Sequence, residues 1–145
     1  MKNFILAFTL LIQPLTACAK ADYVSQDKPV SPSSAYQVIF KKLGIYAEIE
    51  WANPPQKSQD SKFHLKVLGM VSEESMQKLE SATLEVILWM PSMGHGSSPT
   101  SVQKVNSSTF DVSNVYFIMD GDWEIRFVLK NGSQVLDEAT YSLDI

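Results

Sequence analysis

The residues that could do chemistry sit close together in Trp89-Met90-Pro91-Ser92-Met93-Gly94-His95-Gly96. Two thioethers and an imidazole follow an apolar run that ends at Met90. Pro91, Gly94 and Gly96 predict a bend there, not a continued strand or helix. A bend can bring Met90, Met93 and His95 together. Met119, beside a second turn signal at Asp120-Gly121, is a candidate fourth donor. Thioether sulfur with imidazole nitrogen suits Cu(I), whereas Zn(II) prefers thiolate, imidazole or carboxylate. The expected cofactor is therefore copper, as Cu(I), at Met90, Met93, His95 and Met119. Trp89 and Trp123 are candidates to lay an indole face over the cation, an interaction of about 0.5–2 kcal/mol. Packing offers a second reading for several of these. Met90 falls on the apolar face of its strand, Met commonly fills core gaps, and Trp123 alternates with core residues. His64, the other histidine, falls on an outward face and reads as solvated.

Catalysis finds little support. No Ser, Cys or Lys stands in a nucleophile motif, and no paired carboxylates flank His95. Asp120 and Asp122 flank a turn glycine, where acids occur for turn reasons alone. The chain is read as not an enzyme. With 12 basic and 16 acidic residues it is mildly acidic, and its lysines are scattered. It lacks the basic stripe that tracks phosphates, so nucleic acid is not an expected partner.

Met1-Lys2-Asn3 carries one positive charge, an apolar run follows from Phe4 to Ile12, and small residues then lead to Cys18. That is the order of a secretory signal, and the run is too short to span a bilayer. Leu15-Thr16-Ala17-Cys18 resembles the bacterial lipobox, in which the Cys is lipidated and becomes the first mature residue. The other reading is ordinary cleavage near Ala17 or Ala19. The lipobox implies a signal peptide over 1–17 and a membrane anchor through lipid on Cys18. Ala19 is not the Asp of inner-membrane retention, so the resemblance points to the outer membrane rather than the inner. The lone cysteine leaves no internal disulfide to hold the fold. Residues 18–34, with Pro29, Pro32 and four serines after position 20, read as a tether.

Residues 35–145 must then position the loop. Leu43 to Trp51 alternates, with Ile45, Ala47, Ile49 and Trp51 on one side. Phe63 to Leu68 alternates likewise. Val71 to Ser81 reads either as a short helix with acids in its first turn or as a loop, with Met76 and Leu79 as core positions. Thr83 to Met90 is a run of β-formers that predicts a central strand. Short strands are expected over Ser101–Val105, Thr109–Val112 and Val115–Met119. Asp120-Gly121 and Asn131-Gly132 signal hairpins on either side of Trp123–Leu129. The last strand runs from Gln134 to about Leu143. Roughly six to eight short strands without a long helix predict a single all-β domain, an antiparallel β-sandwich.

Met90-Pro91-Ser92-Met93-Gly94-His95-Gly96, followed by Tyr116-Phe117-Ile118-Met119 and Gly121-Asp122-Trp123, resembles the YtkA-like domain, related to the periplasmic part of FixH. The resemblance covers about Leu43 to Leu143, and its specific parts are the loop and the second segment. It implies an immunoglobulin-like sandwich in an extracytoplasmic setting. It also implies a partner among copper-handling or oxidase-assembly proteins. A lipid anchor in place of a transmembrane helix departs from FixH and weakens an inner-membrane oxidase role. The expected function is a lipid-anchored copper carrier or sequestering module on the periplasmic face of the cell envelope. The alternative is an envelope protein-interaction domain with no metal, and a third option is a small-molecule pocket between the sheets.

Overall fold

The computed structural model of the chain describes residues 37–145. The expected signal peptide, Cys18 and the tether lie outside the described residues. Within them the alternating segments form strands whose apolar sides meet. They are β1 (Gln37–Phe40), β2 (Ile45–Asn53), β3 (Asp60–Met70), β4 (Thr83–Met90), β5 (His95–Gly96), β6 (Ser101–Asn106), β7 (Thr109–Tyr116), β8 (Asp122–Asn131) and β9 (Gln134–Asp144). A single helix, α1 (Glu73–Ser81), joins β3 to β4.

The strands make two antiparallel sheets, ordered β1-β2-β3-β7-β6 and β5-β4-β8-β9. Ile45, Ala47, Phe63, Leu65, Phe110 and Val112 of the first sheet are buried. So are Leu84, Val86, Leu88 and Met90 of β4, and Trp123, Ile125, Phe127 and Leu129 of β8. Phe63 of β3 meets Phe127 of β8 edge-on at 6.1 Å, tying one sheet to the other. Each such side chain contributes about 1.5–3 kcal/mol by leaving water. This is an all-β, immunoglobulin-like sandwich in one domain, as expected.

Helix formation in α1 is local. Ser72 sits in extended backbone at the N-cap and its Oγ accepts from the Ser75 N–H at 3.2 Å. Glu73 and Glu74 face the positive end of the helix dipole. At the other end the Lys104 ammonium donates to the carbonyls of Leu79 and Glu80, both at 2.8 Å. Leu79 is buried as expected, but Met76 is 44% exposed, because the helix turns only a narrow stripe inward. Two buried side chains clamp the turn before β2. Asp137 accepts the Leu43 N–H at 2.8 Å, and the Ser75 hydroxyl donates to the Leu43 carbonyl at 2.6 Å.

Four elements differ from expectation. β1 is an additional strand, with only Val38 and Phe40 to mark its inward side. Val115–Met119 is not a strand of its own, since β7 runs unbroken through Val115. A bulge explains the misreading. Ser61 pairs with Val115 while Phe63 pairs with Val112, so β7 carries one extra residue there, and Asn114 takes φ 57°. The bulge resets the alternation, which lets both Val112 and Val115 face the core. Asp120-Gly121 is not a hairpin turn, because β7 and β8 belong to different sheets and the segment between them crosses from one to the other. Finally, β4 is central only at its end. Just Trp89 and Met90 pair with β5, and the rest of that edge is covered by single bonds such as Thr100 Oγ1 to the Val86 carbonyl at 2.7 Å.

Candidate functional site

The loop with the thioethers closes one end of the sandwich. Met90 pairs directly with His95 and Trp89 with Gly96, so Pro91–Gly94 form a four-residue bend. The Met90 carbonyl accepts from both Met93 N–H (3.2 Å) and Gly94 N–H (2.9 Å). Gly94 stands at φ +65°, a conformation that glycine adopts without strain. Residues directly opposed on antiparallel strands point to the same side, with Cβ atoms about 4.5–5.5 Å apart. The Met90 thioether and the His95 imidazole therefore leave the hairpin on one side.

Other loops gather at the same end. The Ser97 hydroxyl donates to the Tyr116 carbonyl, tying the strand after His95 to the end of β7. Ser58 N–H donates to the Phe117 carbonyl at 2.8 Å, and Lys57 pairs with Asp120 at 2.6 Å. Gly121 and Ile145 exchange two backbone hydrogen bonds, 3.1 and 3.2 Å. The Met90 methyl group reaches this crossing segment. A Cβ added at Gly121 would lie 2.5 Å from Met90 Cε, so this glycine is what lets the thioether end lie here. Met119, two residues before it, packs against the core and is partly buried. Its carbonyl accepts the Trp123 indole N–H at 3.0 Å.

The donors differ in access. Met90 is 3% exposed and belongs to the core, while Met93 at the tip of the bend is 59% exposed. His95 is half-buried, with Nδ1 3.1 Å from the Gly96 carbonyl. A carbonyl can only accept, so in the neutral ring this contact favours the proton on Nδ1, with the lone pair on Nε2.

The indoles fill other roles. Trp89 does carry a cation on its ring, but that cation is Arg126, with Cζ 5.0 Å from the centroid. Glu124 holds the guanidinium there through Nε (2.8 Å) and Nη2 (2.6 Å). Trp123 is 1% exposed and meets Phe117 edge-on at 5.4 Å, so it is a core side chain that fixes the Met119 segment. His64 lies on β3 in the first sheet, as expected, but it is partly buried and 2.5 Å from Asp111 instead of solvated.

Sequence reading missed the supports of the loop. Ser97, Gly121 and Arg126 act across elements, and no local pattern marks them. It also missed an acidic pair beside Pro91. Asp122 and Asp144 oppose one another on β8 and β9, at the edge of a cleft of about 360 Å³. A hydrogen bond with Asp122, and then its charge, hold the Asp144 carboxyl above the usual range. Neither has an ion-pair partner among the described residues.

Among the described residues no three His, Cys, Asp or Glu side chains stand close enough to hold a metal ion. The soft donors at this end of the sandwich are the thioethers. No described helix is long and apolar enough to cross a membrane. No known protein-family model matches the chain, and no curated protein is found to resemble it.

Proposed function

We propose that this domain binds Cu(I) through Met90, Met93, His95 and Met119, as a carrier or sequestering module with no bond-making chemistry of its own. The observation that carries the reading is the Met90–His95 pair across the bend, with Nδ1 of the imidazole turned to a backbone carbonyl. Histidine ligands to metals characteristically donate their second N–H to such a partner, which frees the other nitrogen for the ion. Met119 is included in the proposed set because it lies two residues before Gly121, against which the Met90 methyl rests. Soft sulfur donors with one imidazole favour Cu(I) over the harder divalent ions. The likeness of the loop to the YtkA-like and FixH pattern supports the same reading.

The proposal includes the setting. Lipid on Cys18 would hold the domain at the periplasmic face of the envelope, on the outer membrane rather than the inner, where it would exchange copper with another metal-handling protein. A loop-built site with one exposed donor, Met93, suits such exchange. The test is an anaerobic Cu(I) titration against a competing chelator. Uptake near one equivalent in the parent protein, lost in Met93→Ala/His95→Ala, supports the reading. Equal uptake by the double variant rejects the site.

The burial of Met90 favours one other reading, in which Met90 is core alone and the exposed Met93 tip is a contact for an envelope protein. A parent protein that takes up no Cu(I) would leave that reading in place.

A further inference from the structure

The five methionines of the described residues fall into two groups. Met90 is 3% exposed, and Met70 and Met119 are partly buried and packed against the core. Met93 and Met76 are 59% and 44% exposed. These two lie at opposite ends of the sandwich. Met76 is on α1, which leads into the start of β4, and Met93 follows the end of β4. Of the four proposed ligands, then, the most open to a dissolved oxidant is the thioether at the tip of the bend.

We infer that Met93 is a reversible oxidation site through which peroxides switch off the metal loop; this rests on the copper reading above. In the step, a sulfur lone pair of Met93 attacks one peroxide oxygen. The S–O bond forms as the O–O bond breaks. Sulfur loses two electrons, the proton on the transferred oxygen passes to the other peroxide oxygen, and that oxygen leaves as water. The product sulfoxide is polar and offers a hard oxygen in place of a soft sulfur donor, which suits Cu(I) poorly. The fold survives the change, for two reasons. The Met93 side chain is outside the core, and the bend is held by the Met93 and Gly94 N–H groups on the Met90 carbonyl, which oxidation of sulfur leaves alone. Sulfoxide reductases reverse the step, so the switch can be reset. Met76 supplies an internal control, as an exposed methionine remote from the loop.

The experiment treats the copper-free purified protein with hydrogen peroxide and follows each methionine by peptide mass mapping. Cu(I) uptake is measured in parallel against a competing chelator. Sulfoxide is expected at Met93 on the order of tenfold faster than at Met90, with an unchanged circular dichroism spectrum. Cu(I) affinity is expected to fall on the order of tenfold as Met93 oxidises, and to return after methionine sulfoxide reductase treatment. The fall should persist in Met76→Leu, which removes the other exposed methionine among the described residues. Oxidation of Met90 as fast as Met93 overturns the inference, as does full Met93 oxidation with unchanged affinity. Failure of the untreated protein to bind Cu(I) is a different result, since it removes the copper reading and the switch with it.

Discussion

Met90 and Met93 stand three residues apart and should behave as opposites. Met90 is 3% exposed, with its methyl against Gly121, so Met90→Ala leaves a cavity as well as losing burial. Buried Met→Ala changes cost about 2–5 kcal/mol. At roughly 5 °C per kcal/mol for a domain of this size, Tm should drop by roughly 10–25 °C. Met93 is 59% exposed, and Met93→Ala should change stability by no more than about 0.5 kcal/mol. Met90→Leu keeps the volume and should cost less than about 1.5 kcal/mol while deleting the sulfur. Urea denaturation with matched thermal melts measures all three. If Met93→Ala unfolds as readily as Met90→Ala, or if Met90→Ala costs under about 1 kcal/mol, the division into a packed and an open thioether is wrong. If the division holds, Met90→Leu and Met93→Ala become folded reporters for the copper reading, and each should weaken Cu(I) binding.

Two other sites give independent outcomes. Asp137 is 2% exposed and accepts the N–H groups of Leu43 and Glu138, each at 2.8 Å. Asp137→Ala should cost roughly 1–3 kcal/mol for each orphaned group that stays dry, and a urea midpoint equal to the parent's would show that water replaces the carboxylate. For Asp144 the folded carboxyl titrates above its ordinary value of 3.8, through the hydrogen bond and charge of Asp122. The folded state therefore holds this proton more tightly than the unfolded state. The resulting stability is present below pH 3.8 and is lost as pH rises through the raised value, beyond which two carboxylates repel. Asp144→Asn should accordingly raise Tm at pH 7 and lose that advantage in acid. A Tm difference that does not change with pH would refute the coupling.

The fold was legible where alternation was uninterrupted. Leu84, Val86, Leu88 and Met90 alternate without a break, as do Trp123, Ile125, Phe127 and Leu129, and all eight are buried. Asn131-Gly132 signalled the turn that joins β8 to β9. Legibility failed where one residue changed the count. The bulge at Asn114 shifted the parity of β7, which made Val115 resemble the start of a new strand. Asp120-Gly121 has hairpin composition, but a dipeptide does not say whether the strands on either side share a sheet. The thioethers and imidazole around Pro91 and Gly94 could be picked out by type as candidates. Their access was not. Burial of Met90 depends on Gly121, and the partner of the Trp89 ring depends on Arg126 held by Glu124, both distant in sequence.

The coordination shell itself gives the most direct test of the copper reading. Protein loaded with one equivalent of Cu(I) without oxygen can be examined by X-ray absorption at the copper edge. The account predicts sulfur scatterers in the majority with a single imidazole, and no such protein-bound copper signal in Met93→Ala/His95→Ala. A shell of nitrogen and oxygen alone, or a spectrum that the double variant leaves unchanged, would contradict it.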